Sequence, residues 1–497
     1  MITPNVPTPP KGPRTYGNWR KPASAGLGKL SGAATVTLFV GIVAIFLTQT
    51  MIGLLYAVAV AAFFGLVMLG LMIRDRDGLT IVDRIGERMM FMKARRKKTN
   101  IYRAGTTGKT PLGSCQLPGI ASQLRAMEYQ DSLMRTFVVV ESRSTFALVF
   151  QASPDGQALV DEETIDTWVS RFGFWLATLG QEADLAGAQV VIDSAPDTGS
   201  RLCQEIQTRM KDDAPDLARE VMNEVQTAYP TGAANLRVFI TLTYRKAGRT
   251  RDEFGRQMQT RLANLTGNLA GTGAGVVHPC SLFDLAQFVR TSYDPAAGEL
   301  FDEAVIRGQS IDLEWNDVGP IGAEAQWDYY THDSGVSVTW AMTCAPKGIV
   351  QSHVLNALLA PHARIARKRV ALMYRPIDVS KTADVAEADL NQALARANNQ
   401  SRPTARAQIE IAQAQKTAQE EASGAGLVNF GVVVSATGTS RAELDQIRST
   451  VTALAASSRL RIRPVYGAQD AGFAISLPLG LIPVQHAAVA SMMAGKM

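Results

Sequence analysis

The chain has 497 residues and a mass of 53.5 kDa, of which 46% are hydrophobic and 19% charged, enough for about two to four domains at roughly 100–200 residues each. Four scattered cysteines (Cys115, Cys203, Cys280, Cys344) and five histidines without HxxxH or HxH spacing exclude a disulfide scaffold and a sequence-local metal site. The net charge of +5 is uneven: residues 1–98 hold fourteen Lys and Arg against four acids, so the remainder is net acidic by five. A nucleic-acid-binding body would carry its basic excess in the folded part. Here the excess flanks an apolar block, which points to a membrane surface and away from direct nucleic-acid contact.

Residues 1–32 read as a basic tail with Lys11, Arg14, Arg20, Lys21 and Lys29 and no acid. Ala33 to Ile73 contain no Asp, Glu, Lys or Arg. One helix of that length would span roughly 60 Å, about twice the hydrocarbon core. The run therefore predicts a transmembrane hairpin, helices at about 33–48 and 52–73, turning at Thr48-Gln49-Thr50. It is too long for a signal-peptide core and starts too far from the N-terminus. Basic residues on both flanks predict that both termini and the body are cytoplasmic, with the hairpin crossing the inner membrane twice. Free, reduced cysteines agree with that compartment.

Residues 74–103 form a basic juxtamembrane segment. After the turn Asp77-Gly78, Leu79, Val82, Ile85 and Met89 recur at helical spacing. Arg84, Arg88 and Arg95 lie off that face. This predicts a helix in the bilayer interface, followed by the membrane-surface residues Lys93, Arg95, Arg96, Lys97 and Lys98, which attract anionic lipids. A soluble helix packed on the body is the alternative. Residues 104–120 read as a flexible linker.

The body alternates strands and helices. A hairpin of Arg135–Glu141 and Thr145–Gln151 precedes a helix at about 160–179 with Trp168, Phe172 and Trp175. A strand around 188–192, a helix at about 199–228, a strand at 236–244 and a helix at about 251–268 follow. A second hairpin, Trp327–Thr331 with Val336–Thr343, opens a similar series. It contains a helix at about 348–359, a strand around 369–374, a helical insertion at 381–423 broken near Ser401-Arg402-Pro403, a strand at 427–436, a helix at about 440–456 and a strand at 460–465. The repeated order predicts an α+β protein whose cytoplasmic body is two halves related to the ferredoxin-like fold, 121–310 and 311–497.

No recognisable motif in the body points to catalysis; there is no Gly-x-Ser-x-Gly elbow, and a Ser-His-Asp triad assembled in space stays open. Gly105-Thr-Thr-Gly108-Lys109-Thr110 invites a phosphate-loop reading, but Arg103 stands where the loop needs glycine and Pro111 follows at once. Gly271-Thr-Gly273-Ala-Gly275 follows a helix, whereas a dinucleotide loop follows a strand. His353, His362 and Asp378 form no recognisable ligand set. The aromatics Trp327, Tyr329, Tyr330 and Trp340 alternate like strand core. Arg364, Arg367, Lys368 and Arg369 form the body's one basic cluster, read as a solvated approach to a strand. No catalytic, cofactor-binding or metal site is expected.

The stretch from Tyr16-Gly17-Asn18-Trp19 through the apolar run to Arg74-Asp75-Arg76-Asp77-Gly78-Leu79 and Lys97–Arg103 resembles the small PrgI-like membrane subunits of Gram-positive conjugation systems. The body resembles the non-motor half of the TraC-type conjugation ATPase. In particular, Asp470-Ala-Gly-Phe473-Ala-Ile-Ser-Leu477-Pro478-Leu-Gly480 is similar to the Phe…Leu-Pro-Gly segment that precedes the motor there. Ala195–Gly199 and Val336–Met342 are similar to a family of actinobacterial two-helix membrane proteins of integrative and conjugative elements. The resemblance implies a non-enzymatic scaffold of a type IV secretion or conjugation apparatus. Its partners would be a separate motor ATPase, anionic lipids and other membrane subunits. A structural membrane component of type VII secretion, of the EccE type, is the alternative, and a membrane-anchored hydrolase is the third reading.

Overall fold

A computed structural model describes residues 32–483 except 74, 76–78, 106–107, 109, 111–112, 157–159, 197–204, 207, 212, 229–233, 310, 345, 347–349, 399–404, 423 and 425. The basic tail, the Asp77-Gly78 turn and the Ser401-Arg402-Pro403 break lie outside the described residues.

Two apolar helices lead the chain, α1 (Gly32–Met51) and α2 (Leu54–Met72). Both are long and apolar enough to cross a membrane, and most of their side chains are exposed. The turn falls at Ile52-Gly53, later than expected. Thr48 and Thr50 lie within the helix, their hydroxyls donating to the carbonyls of Ala44 at 2.7 Å and Phe46 at 3.1 Å. Gly53 supplies the sharp bend with φ of 123°. The juxtamembrane helix α3 (Ile81–Arg96) follows, then a short strand β1 (Ile101–Arg103).

The body opens with β2 (Arg125–Gln130), β3 (Thr136–Glu141), β4 (Thr145–Ser153), α4 (Glu162–Leu179) and β5 (Leu185–Pro196). It continues through α5 (Asp216–Ala228), β6 (Ala234–Arg245), α6 (Arg251–Gly267), β7 (Val276–Pro279), α7 (Leu282–Tyr293) and α8 (Ala297–Ile306). The second series is β8 (Gly322–Ala325), β9 (Tyr330–His332), β10 (Gly335–Cys344), α9 (Asn356–Leu359) and β11 (Arg367–Pro376). It ends with α10 (Val379–Asn398), α11 (Ala405–Ala422), β12 (Val428–Gly438), α12 (Leu444–Ser457), β13 (Arg461–Pro464) and α13 (Gln469–Ile475).

The α+β class expected from the sequence is the class observed, with one large antiparallel sheet. Its order is β1-β8-β9-β10-β12-β11-β5-β6-β4-β3-β2, with β13 beside β10 and β7 beside β4. Without β1 the order reads the same from both ends once β2–β7 are matched with β8–β13. The seam is β5 against β11, antiparallel, with Val191 opposite Ala371. Matching Pro279 with Pro464 aligns their cross-strand partners, Phe150 and Trp340. The next residues, Cys280 and Val465, each donate an N–H to the neighbouring strand, at Val149 O and Thr339 O, both at 2.9 Å.

Strand alternation explains the layers. Phe146, Leu148 and Phe150 of β4 face α4 and α6, where Trp175, Phe254, Met258 and Leu262 complete a core. Val336, Val338 and Trp340 of β10 face α9 and α12 on the same side, with Leu358, Ile447 and Val451. The opposite face is shared: α7, α13 and the Leu477–Leu481 segment cover residues of both halves, from Val149 and Phe239 to Ala371 and Val433. The segment resembling the pre-motor Leu-Pro-Gly stretch is thus interior, with Leu477 and Leu479 buried.

Residues 104–120, expected as a flexible linker, are largely held against the body where described. Ala104 N donates to Ile321 O at 2.8 Å, Cys115 N to Asn316 O at 2.8 Å, and Leu117 is buried in the shared core. The expected helix near 348–359 shortens to a 3-10 turn, Ser352–Leu355, and α9.

Candidate functional site: a juxtamembrane platform

Helix α3 begins with a capping box. Asp83 N donates to Thr80 Oγ1 at 3.2 Å, and Thr80 N donates to Asp83 Oδ2 at 3.0 Å. Lys93, Arg95 and Arg96 crowd its last turn, where cations favour the negative end of the helix dipole. Lys97 caps the helix and Lys98 turns the chain with φ of 54° into β1. The five residues expected at the membrane surface are therefore brought together as an exposed helix end and turn.

One side of α3 is bolted to the body. Glu87 receives both ends of the Arg463 guanidinium, at 2.9 and 3.2 Å, and less than a tenth of either side chain is exposed. Phe91 meets Trp327 edge-on at 5.5 Å, Trp327 stacks on Tyr466 at 5.6 Å, and Arg463 lies over Tyr466 at 4.9 Å. Gly467 closes the notch by donating to Trp327 O at 2.7 Å. Its φ is 74°, and a Cβ there would sit 2.9 Å from the Trp327 ring. Of the aromatics expected as strand core, Tyr330 and Trp340 are buried, whereas Trp327 serves this notch and Tyr329 lies under Arg441. The packed-helix alternative is thus realised on one side of α3, while Ile81, Ile85, Met89 and Met92 remain exposed on another.

The basic cluster of the body is corrected in part: Arg364 is exposed ahead of the strand, as expected. Arg367, Lys368 and Arg369 lie within β11 and are withdrawn from solvent, Lys368 and Arg369 being 1% exposed. Alternation sends Lys368 to the helix-covered face, where its Nζ donates to Ala360 O at 2.5 Å. Burial brings its pKa down to about 8. Arg367 Nε bonds both Asp193 oxygens across the seam at 2.9 and 3.0 Å. Arg369 lies 4.5 Å over the Phe473 ring, and among the described residues none of its three guanidinium nitrogens has a hydrogen-bond partner. Burial depresses its pKa to about 9. Four positives in six residues look like a surface; only the β alternation could have warned otherwise.

His332 lies beneath the same face. Its Nδ1 is 2.5 Å from Tyr293 O, which can only accept, so Nδ1 carries the proton and Nε2 accepts from Ser337 Oγ at 2.7 Å. Burial pushes the pKa down to about 4, which keeps the ring neutral. A cleft of about 670 Å³ beside β1 is lined by Tyr102, Arg103, Asp294, Glu324 and Asp333. Its acids brace the corner: Asp333 accepts from Ile321 N and Gly322 N and, like Asp294, pairs with Arg290. Gly271–Gly275 forms the expected helix-to-strand loop, between α6 and β7. His353 lies in the 3-10 turn Ser352–Leu355, His362 Nδ1 accepts from Arg364 N at 3.2 Å, and Asp378 accepts from Ser380 N at 3.0 Å. Thr106, Thr107, Lys109 and Pro111 of the phosphate-loop-like stretch lie outside the described residues.

The class so defined is an α+β protein with two apolar N-terminal helices and a large antiparallel-sheet body. A family described as "Domain of unknown function (DUF8461)" matches residues 23–83, which cover the helix pair and the start of α3. No curated protein matches the chain.

Proposed function

We propose that this protein is a non-enzymatic inner-membrane scaffold of a type IV secretion or conjugation apparatus, which docks a separate motor ATPase at the bilayer. The observation that carries the reading is the join between α1–α2 and the body. A membrane-type hairpin continues into a basic helix clamped to a sheet by a buried ion pair and an aromatic stack. Such a join transmits position and needs no chemistry of its own. In this reading α1 and α2 cross the cytoplasmic membrane, both termini and the body are cytoplasmic, and Lys93–Lys98 meet anionic headgroups. The strand orders β7-β4-β6-β5 and β13-β10-β12-β11 support two ferredoxin-like halves, as do the helices that cover one sheet face. The likeness to the non-motor half of a TraC-type ATPase and membership of the actinobacterial conjugative-element family belong to the same proposal and rest on the sequence segments that carry them. A docked motor gains a high effective concentration at the membrane.

The test is co-purification of the conjugation-type ATPase encoded beside this chain, with full-length protein in mild detergent and moderate salt. Retention of that ATPase, and its loss from the membrane fraction when this chain is deleted, is the expected result. If the ATPase is not retained and type VII components are, the EccE-type reading replaces this one.

A further inference from the structure

Helix α3 carries more than a basic end. Ile81, Ile85, Met89 and Met92, at spacings of four, four and three, form a stripe in which each side chain is 43–61% exposed. This stripe differs from the one in the sequence pattern: Val82 turns toward α2, where its Cγ2 lies 3.4 Å from a Cβ built on Gly70. Exposed Arg84, Arg88 and Arg95 flank the stripe on one side, and Lys93 and Arg96 on the other. The three acids of the segment among the described residues each have a partner. Asp83 caps the helix, Glu87 is sealed against Arg463, and Asp75 pairs with Arg84. Among the described residues, the free side of α3 is therefore an apolar strip flanked by cations, of which Arg84 is paired with Asp75. Eight residues separate it from the end of α2. That spacing holds it within about 30 Å of the point where α2 ends.

We propose that α3 is an orientation lock: its exposed stripe lies in an anionic bilayer surface while its opposite side, clamped by Glu87–Arg463 and Phe91–Trp327–Tyr466, fixes the sheet at one tilt to the membrane. The inference rests on reading α1 and α2 as a membrane hairpin. Continuity with that hairpin and the cationic border select lipid as the occupant. A hairpin alone would set no tilt for the body. The clamp sets one because α3 cannot lie in the interface without carrying β13 and the β8–β9 turn with it.

The test uses full-length protein in nanodiscs of phosphatidylcholine with and without phosphatidylglycerol. A photo-crosslinking residue at Ile85 or Met89 should capture lipid, and one at exposed Gln408 should not. Removing any one of Arg88, Arg95 or Arg96 should lower the lipid yield in anionic discs by roughly fivefold. Capture of a second copy of the chain, or of nothing, overturns the lipid assignment. Orientation is read as the distribution of distances between a fluorophore at Ser449 and labelled lipid. It should be narrow in the native chain, broad in Glu87→Arg and in Arg463→Glu, and narrow again in the double variant. An unchanged distribution in Glu87→Arg, or a broad one in the native chain, overturns the lock. Recovery in the double variant excludes misfolding. None of these readouts involves the ATPase, so the lock and the scaffold reading fail separately.

Discussion

The two halves of the sheet share a pairing plan and differ in what they bury. When Phe150 is set against Trp340, Ala147, Val149 and Gln189 of the first half align with Ser337, Thr339 and Arg369 of the second. The first half meets the shared core with Ala147 and Val149 of β4 beside the buried polar Gln189, Thr241 and Thr243. The second half lays a polar belt there: Ser337 bonds Thr437 at 2.7 Å, Thr339 bonds Ser435 at 3.1 Å, and Arg369 and His332 sit alongside. Only the second half takes the extra strand β1 at its outer edge and holds α3. The difference is local: β10 places Ser337 and Thr339 where β4 has Ala147 and Val149, and β11 places Arg369 where β5 has Gln189. Buried polar groups that are bonded to specific partners hold one arrangement more tightly than aliphatic packing does.

The largest test of that comparison removes the matched aromatics. Phe150 and Trp340 are each 1% exposed and lie in separate helix-side cores. Truncating either to alanine should cost about 3–5 kcal/mol. Because the shared core spans the seam, each variant should shift one cooperative unfolding transition of the whole body in detergent. Two transitions, each sensitive to only one variant, would mean that the halves fold as independent units.

Next comes the belt itself. His332 is held at about 4 against an ordinary 6.5. The unfolded chain therefore takes up this proton first as pH falls. The group has no effect above about pH 6.5, and stability then declines progressively to about pH 4, by a total of about 3 kcal/mol. His332→Gln keeps a donor and an acceptor but loses the titration. Denaturant unfolding at pH 7.5 and 5 should give a smaller acid loss in the variant than in the native chain. Equal losses would place the acid sensitivity elsewhere.

Much of this plan was legible in the sequence, for stated reasons. The uncharged run and its basic flanks delimit α1 and α2 to within a few residues, since length and charge suffice for that. The hairpins and long strands follow from β-branched runs such as Val138–Val140 and Val432–Val434. The pieces missed are β1, β2, β7, β8, α7, α8 and α13: the strands β1, β7 and β8 and the helix α13 lack room for a periodic signal, and α7 is buried on several sides. The platform was half legible. Its cations are contiguous, but Arg463 and Trp327 lie hundreds of residues from Glu87 and Phe91, and no local pattern announces a pair at that separation. Arg369 misled because charge density was read without its strand phase.

The smallest effect tests whether the C-terminal segment ties the halves together. After α13 the chain leaves the second half and crosses the first. Gln189 Nε2 donates to Ile475 O at 2.7 Å, and Thr243 Oγ1 approaches Gly480 O at 3.4 Å. Gly480 has φ of 70°, and a Cβ there would lie 2.3 Å from Ala147 Cβ and 2.8 Å from Thr243 Oγ1. Gly248 has φ of 81° with nothing within 4 Å. Alanine at either position meets the left-handed backbone cost of about 1 kcal/mol. Only at 480 must it also push the segment off the first half, for a total of about 2 kcal/mol or more. Thermal unfolding of Gly480→Ala beside Gly248→Ala isolates that contact. Equal destabilisation would show that the segment can lift from Ala147 without loss and does not tie the halves. A larger loss at 480, seen as a shift of the single transition, makes the crossing segment part of what keeps both halves in one sheet.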